Sequence, residues 1–511
     1  MYATAKITES RKNAVLSALA GKWNRVPGVR PALLLVLFVG TALATAERRP
    51  FVIQVVDVET GRGVPLVELR APYERAWYTD SAGIAAISES WLSGRDAFLE
   101  VRSHGYTFEE QVFETPAKIV RILPGKRLQL RIRRNNIAER LYRITGAGIY
   151  ADSVAAGLPV PLKNPLLNGK VTGQDTCIAI PYNDRIYWFW GDTFGLTDAN
   201  FSVSGATSAL PGKGGLDPDV GIDLEYFVDK SGFSKSMLPV DRPGLVWVEG
   251  LMRVRDPSGR ERLVATYTRQ RKVGTADERG VAVFDDGAGI FGVLAQLPST
   301  RAHRSSHPVR VVDRGRSYWY LYPTYRVPDD WNAIQDSHAY EAYTCNKAAE
   351  ELQCGWKPGA DFLDSPDEQK LIEKGQLPAA AALFALIDID TGRPANFDLG
   401  SIAWNEYRKK WIMIAGAWGD VYYSEADAPQ GPWRCAKLIV HHEKYNFYNV
   451  VHHAFFDKDK GRIIYFEGTY TTSLVNGATP TPLYDYNQIM YKLSLDDPRL
   501  RLPASCPVLK R

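Results

Sequence analysis

The sequence predicts an all-β protein, a five-bladed β-propeller preceded by a small β-sandwich. Three observations carry this expectation. First, one unit recurs: a polar or acidic residue, a short apolar strand, a tight polar turn, and a strand dense in aromatics. Its clearest copy is DTCIAIPYNDRIYWFWGDTFG, Asp175 to Gly195, and others begin near Glu249, His307, Ser401 and His452. Five such units, roughly 50 to 95 residues apart, fit radial blades that bury their faces against one another. Second, residues 50 to 135 hold shorter alternating strands separated by turn residues, the pattern of a sandwich. Third, aromatics make up 11% of the chain, with 13 Trp and 26 Tyr, a supply that suits blade packing and stacking on sugars alike.

Ahead of these elements, Pro31 to Ala46 reads PALLLVLFVGTALATA. The run is shorter than the ~20 residues of a membrane span. It follows Lys22, Arg25 and Arg30 and ends in the small-x-small string Ala44-Thr45-Ala46. These features predict a signal peptide over residues 1–46, cut after Ala46, and a secreted or periplasmic protein without stable membrane insertion. An over-extended start site and an uncleaved anchor are the alternatives. The net charge of +4 includes six Lys/Arg and one acid from this segment, so the mature chain carries about −1. That balance argues against nucleic acid as a partner. Export permits disulfides among Cys177, Cys345, Cys354, Cys435 and Cys506. Cys345 and Cys354 could pair across a hairpin, and the odd count leaves at least one thiol unpaired.

Within residues 47–135, FVIQVVDV and VPLVELRA alternate around the ETGRG turn, followed by AWYTDSAGIAAIS, AFLEVRSHGYTF and KRLQLRIRR. The strings DVETGRGVPLVEL, TDSAGIAAI and VRSHGY resemble the transthyretin-like, or carboxypeptidase-regulatory-like, fold. The resemblance implies an accessory or positioning module whose turns carry no chemistry. Residues 136–168 read as a linker, with a short helix over NNIAERLYRI and the Pro-rich LPVPLKNP. The propeller then occupies 169–511, interrupted at about 330–398 by an insertion. The insertion holds CNKAAEELQC, a charged helix over SPDEQKLIEKG, and the apolar AAAALFALIDI, which periodicity leaves open between helix and strand.

If blade one is a hairpin turning at Asn183-Asp184, Ile180 pairs with Tyr187 and Asp175 falls opposite Asp192. Like charges across a hairpin are destabilising. The pair therefore points to a ligand, a cation or a catalytic role, in which desolvation and repulsion raise one pKa as a general acid needs. The plainer reading of Asp192 is a cap on the WGDTFG turn. The same counting sets Glu249 opposite Tyr267, His307 opposite Tyr322, and His452 opposite Phe466 with Glu467 nearby. One rim would then gather Asp175, Asp192, Glu249, His307, His452 and Glu467, provided no strand slips by one residue. Trp190, Tyr322 and Trp418 are candidates to stack on sugar rings or, more plainly, to pack between blades. His441-His442 and His452-His453 are adjacent strand residues that face opposite ways, so neither pair chelates alone. No protein metal site is assigned, and a water-ligated calcium in the channel is the one cofactor considered. No P-loop, H-E-x-x-H or G-x-S-x-G string is present.

GQDTCIAIPYNDRIYWFWGDTFG and GAWGDVYYSEADAPQGPW (Gly416 to Trp433) resemble the five-bladed glycoside hydrolases of the family 43 and family 32 type. In style they are nearest to domain-of-unknown-function family 4185, with which bacterial endo-D-arabinanases are grouped. The resemblance covers roughly the last 370 residues. It implies a hydrolase with carboxylates at the channel mouth, the first an Asp on the first inner strand, where Asp175 maps. Glu249 is the candidate for a second, on blade two. In family 43 the proton donor is usually a Glu of a later blade; that blade begins here with His307, a departure from the pattern. The expected function is an exported glycoside hydrolase acting, as a monomer, on a polysaccharide or oligosaccharide. Asp175 would be base or nucleophile, Glu249 the acid, and Asp192 a tuning or orienting group. Trp190, His307, Tyr322, Trp418, His452 and Glu467 would bind substrate. The alternatives are a non-catalytic carbohydrate-binding propeller and an envelope interaction scaffold.

Overall fold

The structure, a computed structural model, describes residues 49–72, 74–298, 307–348, 351–360, 364–378, 381–395, 397, 400–473, 475–504 and 506. The expected signal peptide lies outside the described residues. No helix among the described residues is long and apolar enough to cross a membrane.

The N-terminal strands build two sheets. One has the order Ile84–Ile87, Phe51–Asp57, Arg127–Arg134, Tyr106–Thr107; the other runs Ala76–Tyr78, Glu68–Arg70, Asp96–Arg102, Thr115–Arg121, Gln111–Val112. Alternation decides which side faces in. Along RLQLRIRR, Leu130 and Ile132 are buried while the arginines at 127, 131 and 133 point outward. Ile53, Val55, Val67, Leu69 and Leu99 meet them from the other strands.

Five further sheets form blades. Blade one is Ile178–Tyr182, Arg185–Trp190, Ser204–Ala209 and Glu225–Tyr226; blade two is Leu245–Arg255, Glu261–Gln270, Glu278–Asp285 and Ile290–Leu297. Blade three is Val309–Asp313, Arg316–Tyr322, Tyr325–Pro328, Glu341–Ala348 and Glu351–Pro358. Blade four is Ser401–Asn405, Lys410–Ala417, Asp420–Ala426 and Cys435–His441, with Ile387–Asp388 added in parallel at its edge. Blade five is Asn446–His452, Ile463–Thr471, Asn487–Ser494 and, as its outermost strand, Glu139–Arg143.

The apolar clusters show that these sheets form a ring. Ile178 and Phe189 of blade one pack with Val248, Leu263 and Phe284 of blade two. Met252 and Val264 of blade two share a cluster with Trp319 and Val327 of blade three and Ile402 and Met413 of blade four. Ile412, Ile414 and Tyr423 of blade four meet Phe447, Ile464 and Phe466 of blade five. Tyr465 and Met490 of blade five return to Ile186, Trp188 and Trp190 of blade one. Last blade against first blade closes the propeller.

Two sequence readings change here. NNIAERLYRI is not a linker helix: Glu139–Arg143 pairs antiparallel with Asn487–Ser494, Arg140 opposite Tyr491 and Arg143 opposite Ile489. An open sheet edge outweighs the modest helix propensity of these residues. Arg140 and Arg143 are buried because their guanidinium groups find partners. Arg140 donates to the His104 carbonyl and Ser103 Oγ of the sandwich, and Arg143 to the Ala147 carbonyl. The described residues of CNKAAEELQC belong to two paired strands of blade three, Glu341–Ala348 and Glu351–Pro358, with Cys345 in register with Cys354, which is disulfide-bonded. Cys435 is bonded to Cys506, and Cys177 is the free cysteine among the described residues. The charged segment of the insertion is helical, Ser365–Glu373, capped by Asp364 accepting from Asp367 N at 2.9 Å.

Candidate active site

The first two strands of blade one run past the blade. Beyond Ile178 and Trp190 they continue in the same register into a small sheet of Val171–Gln174, Thr193–Gly195 and Ala199–Asn200, where Gln174 pairs with Thr193. Residues 175–177 and 191–192 cross from one sheet to the other, and Thr176 adopts φ 53° in the crossing. Asp175 and Asp192 face each other there. Gly191 N donates to the Asp175 carbonyl at 2.9 Å, and Asp192 N donates to Asp175 Oδ1 at 2.8 Å. A Cβ at position 191 would stand 2.5 Å from that same Oδ1. Only glycine lets the carboxylate reach the neighbouring amide.

Other blades complete the surroundings. Tyr448, near the start of the inner strand of blade five, donates its hydroxyl to Asp175 Oδ2 at 2.7 Å. Tyr486, from the loop before Asn487–Ser494, acts on the same carboxylate through its hydroxyl. Trp247, on the inner strand of blade two, donates Nε1 to Asp192 Oδ1 at 2.9 Å. Thr176, Asn449 and Tyr486 all hold left-handed backbone, at φ 53°, 51° and 60°. Such residues cost about 1–3 kcal/mol each and gather where function requires a fixed geometry. A buried polar network holds the arrangement: Gln174 bonds to Thr193, Ser204 and Tyr226, and Gln488 links the Gln174 carbonyl to Thr469, whose hydroxyl accepts from Thr176 N.

Burial lifts the Asp175 pKa to about 6; the Tyr448 hydroxyl opposes the rise and the charge of Asp192 adds to it. Burial also raises Asp192, opposed by the indole N–H of Trp247. Burial and the Asp175 charge together hold the Tyr448 and Tyr486 phenols protonated. The two half-exposed aspartates are thus bonded to hydroxyl and indole donors and neighboured by partly exposed aromatic rings.

The remaining predicted residues take other partners. Glu249 is the extra residue of a bulge in Leu245–Arg255, between the Val248–Tyr267 and Gly250–Thr266 pairs, so the pairing expected for it belongs to Val248. Its carboxylate lies 3.6 Å from the Arg279 guanidinium. His307 comes just before the inner strand of blade three, whose register leads toward Tyr322. Burial and the nearby His453 push the His307 pKa down to about 3, leaving a neutral imidazole. His452 does pair with Phe466, but it ends its strand instead of beginning it, because the following residues fold into short 3-10 turns. It is buried, with Nε2 at 2.8 Å from Asp457 Oδ1 and its N–H bonded to Ser401 Oγ, which removes it from the substrate set.

Three further substrate-binding expectations are corrected by burial. Glu467 has no exposed surface and sits beside His453, with His453 Nε2 at 2.5 Å from Oε1. Trp190, 1% exposed, lies nearly parallel to Trp188 at 6.4 Å in the seam between blades five and one. Tyr322 is buried against Phe384. Both aromatics are core. Trp418 is 68% exposed in the turn between Lys410–Ala417 and Asp420–Ala426, at the end of blade four that holds Ser401. Tyr448, Tyr486 and Trp247 were not singled out from the sequence; the tyrosine-rich strings YNFYNV and YDYN hold the two tyrosines, and Trp247 stands two residues before Glu249. A cleft of about 810 Å³ between the sandwich and blade five is lined by Arg70, Tyr78, Arg102, His104, Tyr445 and Tyr470, and neither Asp175 nor Asp192 lines it.

No protein-family model matches the chain, and no curated protein matches it. Solved structures do. An endo-arabinase from Bacteroides thetaiotaomicron is 13% identical, covering 65% of this chain and 98% of its own, with a TM-score of 0.31. A GH43_1 enzyme from Xanthomonas citri is 13% identical over 63% of this chain and 87% of its own, with a TM-score of 0.32. An exo-1,5-alpha-L-arabinanase from a bovine ruminal metagenomic library is 10% identical over 64% and 94%, with a TM-score of 0.31. Likeness at these values does not bear on what the present chain does.

Proposed function

We propose that this protein is a glycoside hydrolase that cleaves a polysaccharide or oligosaccharide at the Asp175–Asp192 end of the propeller. The observation that carries the reading is the pair itself: two aspartates opposed across a strained crossing between sheets, with Asp192 N donating to Asp175 Oδ1 at 2.8 Å and burial raising both carboxyl groups. Asp175 acts as base or nucleophile and Asp192 is the second carboxyl. Residues opposed across a hairpin have Cβ atoms about 5 Å apart, the scale of the ~5–5.5 Å separation in retaining enzymes. Glu249, beside Arg279, orients the sugar instead of donating the proton. Tyr448, Tyr486 and Trp247 offer ring faces to it, and Trp418 extends the surface outward. The protein works outside the cytoplasm after loss of residues 1–46, without a nucleic-acid partner.

The test is a screen of the purified protein against bacterial and plant polysaccharides with reducing ends measured, repeated with Asp175→Asn. A hydrolase releases ends, and the variant loses turnover by several orders of magnitude while keeping affinity for the same glycan. Unchanged binding with no release by either protein would identify a carbohydrate-binding propeller. No response to any glycan would leave an interaction scaffold.

A further inference from the structure

We propose that Cys177, His453 and Glu467 form a buried site for a thiophilic divalent cation, zinc in particular, that ties blade five to blade one. The three side chains come from the two blades that close the ring. Cys177 stands just before the first inner strand, His453 just after the inner strand of blade five, and Glu467 within the next strand, Ile463–Thr471. One ligand atom from each lies within 4.8 Å of the other two. A tetrahedral zinc with bonds of about 2.0–2.3 Å sets its ligand atoms roughly 3.3–3.8 Å apart, so a contraction of about an ångström assembles the site. Cys177 and Glu467 are fully buried and His453 is 1% exposed. The edge of Trp188 packs on the His453 ring at 5.2 Å between centroids and fixes its plane.

The carboxylate is what asks for a ligand. Glu467 Oε1 is served by His453 Nε2, whereas Oε2 is buried and meets no donor at hydrogen-bond geometry, with the Cys177 thiol, a weak donor, acting on the carboxyl group. A buried carboxyl oxygen so poorly served is costly. A divalent cation bound by thiolate, carboxylate and neutral imidazole would satisfy that oxygen and leave the cluster without net charge. The donor set also selects the ion: sulfur and imidazole suit zinc, whereas calcium and magnesium take oxygen ligands. No covalent link among the described residues joins the first blade to the last, and a bound metal would supply one. The site is independent of glycoside cleavage.

The experiment adds Zn²⁺, Ca²⁺ or Co²⁺ to chelator-treated full-length protein. One Zn²⁺ should bind per chain and raise the unfolding temperature, and Ca²⁺ should leave it unchanged. Co²⁺ should give a thiolate-to-metal charge-transfer band in the wild-type protein, a readout that needs no variant. Cys177→Ser should abolish the band and weaken Zn²⁺ binding at least tenfold. Absence of the band, equal Zn²⁺ binding by Cys177→Ser, or stabilisation by Ca²⁺ in place of Zn²⁺ would each overturn the proposal.

Discussion

Replacing Asp152 with Asn should stabilise the protein at pH 8 and leave its stability near pH 4 unchanged. Asp152 opens the short helix Ala151–Ala155, which follows the strand that closes blade five. Its Oδ1 accepts from Ala86 N of the sandwich at 2.7 Å, and the next residue, Ser153, donates its N–H to Asp80 Oδ2 at 2.7 Å. Burial raises the Asp152 pKa from 3.8 to about 6; the Ala86 N–H opposes the rise and the Asp80 charge adds to it. The folded state therefore holds this proton more tightly than the unfolded chain. The stabilisation is complete below about pH 4 and is lost as the pH rises through about 6. At ~1.36 kcal/mol per pH unit, a rise of about two units is worth ~3 kcal/mol, and residual solvent contact reduces this to about 1–3. Asparagine keeps the oxygen that accepts from Ala86 and never ionises. Urea unfolding followed by tryptophan fluorescence at pH 4, 6 and 8 should show the variant's advantage growing from nothing to about 1–3 kcal/mol. A variant less stable than wild type at pH 8, or a difference that does not change with pH, would refute the reasoning.

Three further outcomes test the architecture. Tyr484 donates its hydroxyl to the Thr79 carbonyl at 2.6 Å and accepts from Leu66 N at 3.2 Å, so Tyr484→Phe should lower stability by ~1–2 kcal/mol in thermal unfolding. Trp190→Ala should cost ~3–5 kcal/mol in urea unfolding, because the ring fills the seam between blades five and one. Trp418→Ala, at an exposed turn, should change stability by no more than ~0.5 kcal/mol.

The parts legible in the sequence were those set by local geometry. Asn183 and Asp184, at φ 46° and 60°, form the two-residue turn that hairpins favour, so counting outward gave Ile180 opposite Tyr187 and Asp175 opposite Asp192. The same counting gave His452 opposite Phe466. Bulges defeated it: one extra residue at Glu249 is invisible in a pattern of alternating side chains. Residue type could not separate Trp190 in a seam from Trp418 on a turn, since both are tryptophans at the end of an aromatic strand. Convergence across the ring was also hidden. Tyr486 reaches Asp175, and Cys177 meets Glu467, only because the last blade lies against the first. The partner of Glu139–Arg143 likewise lies near the other end of the chain, too distant for any local signal.

That edge strand gives the protein a particular order of assembly. Glu139–Arg143 leaves the ribosome directly after the sandwich, yet its partner, Asn487–Ser494, is made almost last. The N-terminal module can fold early and hold the strand in place through Arg140, while the circle waits for its final hairpin. Loss of that hairpin by C-terminal truncation would leave two strand edges exposed, the form most prone to aggregation.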